Sequence, residues 1–107
     1  MVDDVRITVP TARLLAALLE DPDADRYGLE LMDRTGLASG SLYPILTRLR
    51  RAGWVEAHWE EIDPTAAGRP ARRYYRLTAE GASRAGAALS ALHRQTSFGT
   101  PQARPAW

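Results

Sequence analysis

Arginine is the side chain with the most chemical information in this sequence. All fourteen basic residues are arginine, and seven of them fall between positions 38 and 76. Arg48, Arg50 and Arg51 form one group, and Arg69, Arg72, Arg73 and Arg76 crowd the stretch GRPARRYYRLT. A guanidinium is a planar fork of donors that matches a phosphate or a guanine edge. Ser39, Ser41, Tyr43 and Thr47 add hydroxyls just ahead of the first group, and serine, threonine and tyrosine donate readily to phosphate oxygens. The net charge of +1 says little, but its distribution says more. Residues 1–37 hold four arginines against eight acids, 38–76 hold seven against four, and 77–107 hold three against one. Such polarity suits a protein that turns one face to a polyanion.

Other chemistries find no support. The chain has no cysteine, and His58 and His93 stand too far apart for metal-ligand spacing, so no disulfide, zinc site or other metal is expected. Asp21, Asp23 and Asp25 lack the central glycine and terminal glutamate of a calcium loop. Ser39 and Ser41 sit in no nucleophile elbow, and there is no phosphate-binding loop or dinucleotide fingerprint. Glu56, Glu60 and Glu61 read as a solvated strand edge rather than paired catalytic carboxylates. The expectation is a protein that is not an enzyme and carries no cofactor. No apolar run approaches the roughly 20 residues that span a bilayer, and the acidic start is unlike a signal peptide. A soluble cytoplasmic protein, on the nucleoid when bound to DNA, follows as an expectation.

The elements that must position the arginines can be read from spacing. Thr11 to Leu19 is a helix with Leu14, Leu15, Leu18 and Leu19 on one face, approached through Thr8 and Pro10. The acidic stretch 20–25 is a loop. A second helix runs from about Tyr27 to Thr35 with Leu29 and Met32 inward, and Gly36 closes it before Leu37 plugs the turn. Gly28 at its start is costly unless packing is tight there. Ser39 is the expected N-cap of a third helix, about Ser41 to Ala52, whose Leu42, Ile45, Leu46 and Leu49 face inward. Two helices joined by so short a glycine-containing turn form a helix-turn-helix candidate.

Beyond Gly53, Trp54 to Trp59 reads as a strand, 62–70 as a long tip without helical period, and Arg72 to Leu77 as the return strand. Thr78 caps a last helix from Ala79 to His93 or Arg94, with a seam of Ala82, Ala85, Leu89 and Leu92 suited to packing against a second copy. The fold class is mainly α with a two-stranded β-wing: a winged helix-turn-helix with a C-terminal dimerisation helix. Its parts are a lead segment (1–10), the DNA-binding domain (11–78), the dimerisation helix (79–94) and an irregular tail (95–107).

On this frame, Ser39, Ser41, Tyr43, Pro44, Thr47, Arg48 and Arg51 are the candidate recognition-helix residues, and Arg69, Arg72 and Arg73 the candidate wing contacts. Tyr43 has a second reading as a half-buried aromatic joining two helices, and Arg50 as a solvent residue or the partner of an acid. Arg76 has Glu56 or Glu60 as a facing partner. Double-stranded DNA and a second copy of the chain are the expected partners. The near-neutral charge and acidic strand leave a protein-interaction winged helix without specific DNA binding as the alternative.

The chain resembles the PadR-like winged-helix transcriptional regulators. The resemblance rests on Tyr27-Gly28-Leu29-Glu30-Leu31, on Gly36 through Leu46 (GLASGSLYPIL), and on Leu49 and Gly53-Trp54-Val55. Gly68-Arg69-Pro70, Arg73-Tyr74-Tyr75-Arg76-Leu77-Thr78 and Gly81 complete it, so it covers about residues 11–92. It implies a homodimeric DNA-binding repressor in which the helix holding Ser39 to Arg51 enters the major groove. It further implies that the wing near Arg69 touches the flanking backbone, and that the C-terminal helix dimerises with help from the first. Some relatives bind planar apolar compounds between subunits. The alanine and leucine seam here offers no aromatic partner for such an effector.

Overall fold

A computed structural model describes residues 5–99, with side chains to residue 95. The order is α1 (Val9–Leu19), β1 (Arg26–Tyr27), α2 (Gly28–Thr35), α3 (Ser39–Arg51), β2 (Val55–Trp59), α4 (Pro64–Ala67), β3 (Arg73–Leu77) and α5 (Ala79–Gly99). Three antiparallel strands lie in the order β1-β3-β2, with Val55 opposite Leu77, Trp59 opposite Arg73, and Tyr27 opposite Tyr74. This is the expected winged helix-turn-helix with a C-terminal helix, plus one short strand.

The helices form where the apolar spacing requires. Leu14, Leu15 and Leu18 of α1 and Leu42, Ile45, Leu46 and Leu49 of α3 are almost wholly buried in one core. Burial of each such side chain contributes roughly 1.5–3 kcal/mol, so α3 is held chiefly by its inner face. Thr8 caps α1, accepting from the Thr11 N–H at 3.2 Å, and its hydroxyl lies 3.0 Å from that of the buried Thr11. Gly36 closes α2 in the left-handed conformation, and Leu37 enters the core behind it.

Several boundaries differ from the sequence reading. Helix α2 starts at Gly28, so its inner line is Gly28, Leu31 and Met32, while Leu29 is 68% exposed. Ser39 does not cap α3. The cap is Ala38, whose carbonyl accepts from Ser41 and Leu42, and Ser39 is the first helical residue with its side chain exposed. The wing tip holds a helical turn, α4, with Asp63 accepting from the Thr65 N–H at 3.0 Å and Pro64 in the first turn. Strand β2 begins at Val55 and β3 at Arg73, each one residue inside the expected limit.

Helix α5 extends to Gly99, past the expected end at His93 or Arg94, because no glycine or proline interrupts it after Gly86. The expected irregular tail is therefore helical from 95 to 99. Residues 100–107, and the first four of the lead segment, lie outside the described residues.

Two glycines allow close approaches that set the frame of the site. The Tyr43 hydroxyl rests where a Cβ on Gly28 would stand, which locks the start of α2 against α3. A Cβ on Gly81 would strike the Trp54 carbonyl, so α5 can begin directly on the turn between α3 and β2. Thr78 fastens that junction. Its hydroxyl donates to the Gly53 carbonyl at 2.7 Å and accepts from the Gly81 N–H at 2.9 Å, capping α5 as expected.

Candidate nucleic-acid interface

With Leu42, Ile45, Leu46 and Leu49 inward, a rise of 3.6 residues per turn puts Pro44, Thr47 and Arg51 on the opposite side of α3. Ser41 and Arg48 flank that stripe on one side, and Tyr43 and Arg50 on the other. Ser39, Ser41, Pro44, Arg48, Arg50 and Arg51 are exposed, Thr47 is half-buried and Tyr43 is 40% exposed. None of Arg48, Arg50 and Arg51 forms an ion pair with a carboxylate among the described residues. Tyr43 combines its two readings: its hydroxyl joins α3 to α2 at Gly28 while its ring edge meets solvent. Pro44 sits inside the helix, where it removes the bond to the Gly40 carbonyl; Gly40 is exposed, so water can take that acceptor.

The wing arginines divide into two kinds. Arg69 grips Glu60 with two parallel hydrogen bonds of 2.7 and 2.9 Å, and the Arg72 backbone N–H adds a third at 3.2 Å. The Arg69 hydrogen bonds, more than the opposing effect of burial, hold the Glu60 carboxyl down at about 2. Arg76 pairs with Glu56 at 3.1 Å, the first of its two expected partners, and lies 3.9 Å from Asp25. Arg72 and Arg73 lie instead on aromatic rings: Arg72 is 4.3 Å from the centre of Tyr27, and Arg73 is 5.2 Å from that of Trp59.

The distinction matters because a carboxylate cancels the charge it orients. An aromatic face orients a guanidinium and leaves its positive charge in place. Glu60 feels the charge of Arg72 without pairing with its guanidinium.

The N-terminal acids are likewise spent within the fold. Arg26 bonds Glu30 at 2.6 Å, and Arg34 reaches Glu30 at 3.4 Å and Glu20 at 2.8 Å. Burial works to raise the Glu30 carboxyl, but the bonds and charge of Arg26, aided by Arg34, outweigh it and leave it below its usual range. Asp25 lies 3.6 Å from His58, which stacks on Tyr74.

A cleft of about 180 Å³ opens between the start of α2, α3 and the wing. Its lining includes Tyr43, Arg72 and Arg73, which joins recognition-helix and wing candidates in one place. It also includes Tyr27 and Leu29, which sequence reasoning did not assign to the site. Their only signal was position, at the start of a helix whose first residue is a glycine.

The expected dimer seam is partly used within the chain. Ala85 is fully buried, and Ala82 and Leu89 pack on the same core, because α1 lies against α5. This corrects the premise that nothing in the monomer covers α5. At 1.5 Å per residue the 11 residues of α1 reach about 16 Å, against about 31 Å for the 21 of α5. The part of α5 around the half-buried Leu92 therefore extends past α1. Among the described residues no cluster of histidine, aspartate and glutamate is arranged to hold a metal, and no helix is long and apolar enough to cross a membrane.

Comparison with known proteins agrees with this geometry. The model of the PadR-like transcriptional regulator family matches residues 14–87. No curated protein matches the chain. Among solved structures, a Streptococcus mutans protein superposes with a TM-score of 0.68 at 24% identity, covering 100% of this chain and 99% of its own. A PadR-like transcriptional regulator from Bacillus cereus gives 0.65 at 21% identity, with 84% and 86% covered. Reduced AbfR bound to DNA gives 0.64 at 24%, with 90% of this chain and 59% of that one covered; AbfR is a Staphylococcus epidermidis protein. At these identities the likeness shows the fold.

Proposed function

Since the chain belongs to the PadR-like family of transcriptional regulators, we propose that it is a homodimeric repressor that reads a near-palindromic DNA operator. Helix α3 enters the major groove, with Ser39, Ser41, Tyr43, Pro44, Thr47, Arg48 and Arg51 facing the duplex, and Arg72 and Arg73 meet the flanking backbone. The observation that carries this reading is the set of guanidiniums left without a carboxylate: Arg48 and Arg51 on α3, Arg72 and Arg73 on the wing. Tyr43 and the two wing arginines share a cleft, so the helix and the wing act side by side. The structure of AbfR on DNA supports the same use of the fold. Arg69, bound to Glu60, shapes the wing tip rather than adding a free cation.

A two-fold dimer would present two copies of α3 to half-sites about 34–36 Å apart. The seam of Ala82, Ala85, Leu89 and Leu92 serves this dimer chiefly through its outer end, with α1 completing the contact. Leu92→Glu is expected to shift the protein from dimer to monomer in sedimentation and to weaken DNA binding with it. A monomeric parent protein counts against the assembly.

The direct test is fluorescence anisotropy on duplexes selected from a random pool, over a salt series. Sequence-preferring, salt-sensitive binding is expected. Binding without preference, left unchanged by Arg48→Ala with Arg72→Ala, overturns the repressor reading.

A further inference from the structure

A module with a helix in the major groove and a wing in the groove beside it must straddle the sugar–phosphate strand that separates the two. In this chain that crossing point is occupied by the cleft between α3 and the wing. Its charged lining residues are Arg72 and Arg73, and no carboxylate lines it. Its remaining walls are largely apolar or aromatic, from Leu29, Tyr43, Tyr27 and Tyr75. About 180 Å³ is the volume of roughly six waters, room for a pentose with its phosphate but not for a base pair. A lone exposed leucine needs no explanation. Leu29, 68% exposed and forming one wall of a cleft that also holds two cations, does.

We infer that this cleft seats one sugar–phosphate unit of the bound duplex, with Arg72 on the phosphate, Leu29 and Tyr43 against the deoxyribose, and Tyr27 as the positioning residue for Arg72. The inference rests on the DNA-binding reading above and goes past it in naming a residue outside the recognition helix and the wing. Tyr27 holds the Arg72 guanidinium 4.3 Å from its ring centre and is itself braced edge-on by Tyr74. An arginine held this way loses little further freedom when it meets a phosphate, and its charge has not been cancelled beforehand. The contrast with Arg69, three residues away and held by a carboxylate, is internal to the same wing.

The experiment uses the full chain and duplexes selected from a random pool, each with one backbone phosphate replaced by an uncharged methylphosphonate. For the parent protein, one position per half-site is expected at which neutralisation weakens binding about tenfold. Arg72→Ala should weaken binding to the unmodified duplex by a similar factor and become indifferent to that substitution. Its slope of log affinity against log salt should fall by about 0.9, the value of one phosphate contact. Tyr27→Leu should behave as Arg72→Ala, and Tyr27→Phe, which keeps the ring, as the parent.

The seat is overturned if Arg72→Ala keeps the parent's full sensitivity to every methylphosphonate, or if a folded Tyr27→Leu keeps the parent slope. A melting curve shows whether Tyr27→Leu has folded; if it has not, the surface substitution Arg72→Ala decides alone. Inorganic phosphate competing at millimolar concentration, with no methylphosphonate effect, reduces the cleft to a general anion site and overturns the seat. A parent protein that binds DNA without the marked phosphate loses only the seat. One that binds no DNA loses the regulatory reading as well.

Discussion

Helix α3 and the wing each carry a cluster of arginines, and in the sequence the wing looks the stronger of the two. The fold reverses that order. Arg48, Arg50 and Arg51 stand on α3 without a carboxylate, whereas Arg69 and Arg76 on the wing are held by Glu60 and Glu56. Only Arg72 and Arg73 remain on the wing as uncancelled cations, and both are laid on aromatic rings. Arginine density thus overstates the charge a surface can offer to a phosphate; what holds each guanidinium decides its use.

The comparison breaks most readily through paired substitutions. Arg48→Ala with Arg51→Ala is expected to weaken binding to a selected duplex about a hundredfold, since each good contact is worth about 1–3 kcal/mol. Arg69→Ala with Arg76→Ala removes the same formal charge and should cost less than about threefold, because exposed ion pairs hold those groups already. Equal losses from the two pairs would erase the distinction.

A smaller effect separates fold from function within α3. Gly40 is exposed in the first turn, and a Cβ there would meet nothing within the chain. Gly40→Ala should therefore stabilise the protein by roughly 0.5–1 kcal/mol in thermal unfolding. If the helix approaches the duplex through this point, the same substitution should weaken DNA binding about tenfold. Unchanged binding would move the contact surface away from the start of α3.

The wing lock gives the smallest expected effects. Glu60→Gln should release Arg69, raise affinity for random-sequence DNA a few-fold and steepen the salt slope by about 0.9. The Glu60 carboxyl, lowered from 4.5 to about 2, stabilises the folded wing above pH 4.5 and loses that contribution as pH falls towards 2. An NMR titration should find Glu60 near that value in the parent and close to 4.5 in Arg69→Ala. A carboxyl titrating at 4.5 in the parent would mean that the lock does not form.

Much of the frame was legible in the sequence. A 3.6-residue period places Leu42, Ile45, Leu46 and Leu49 inward whatever surrounds them, and the outer face of α3 follows. Gly36, Leu37 and Thr78 carry local signals strong enough to mark their turns and cap. Other features depend on partners far along the chain. Strand β1 has two residues, too few for any period, and exists because β3 offers it an edge. Leu29 was placed inward because a one-residue difference in where α2 starts turns the inner line from Leu29 to Leu31.

The candidate site was legible in its residues but not in their pairing. Glu60 meets Arg69 only because the α4 turn folds the wing tip back, and Tyr27 meets Arg72 only because β1 joins the sheet. Gly28 and Gly81, which the family resemblance included without a physical reason, acquire one from the Tyr43 hydroxyl and the Trp54 carbonyl.

Arg69 and Arg72 stand three residues apart on one wing, and their difference is the most direct measure of whether holding groups, not arginine count, define the DNA face. The measurement is the salt dependence of binding to one selected duplex by the parent, Arg69→Ala and Arg72→Ala. The expected result is a slope shallower by about 0.9 for Arg72→Ala and unchanged for Arg69→Ala. Equal reductions in the two variants, or a reduction in Arg69→Ala alone, would contradict it.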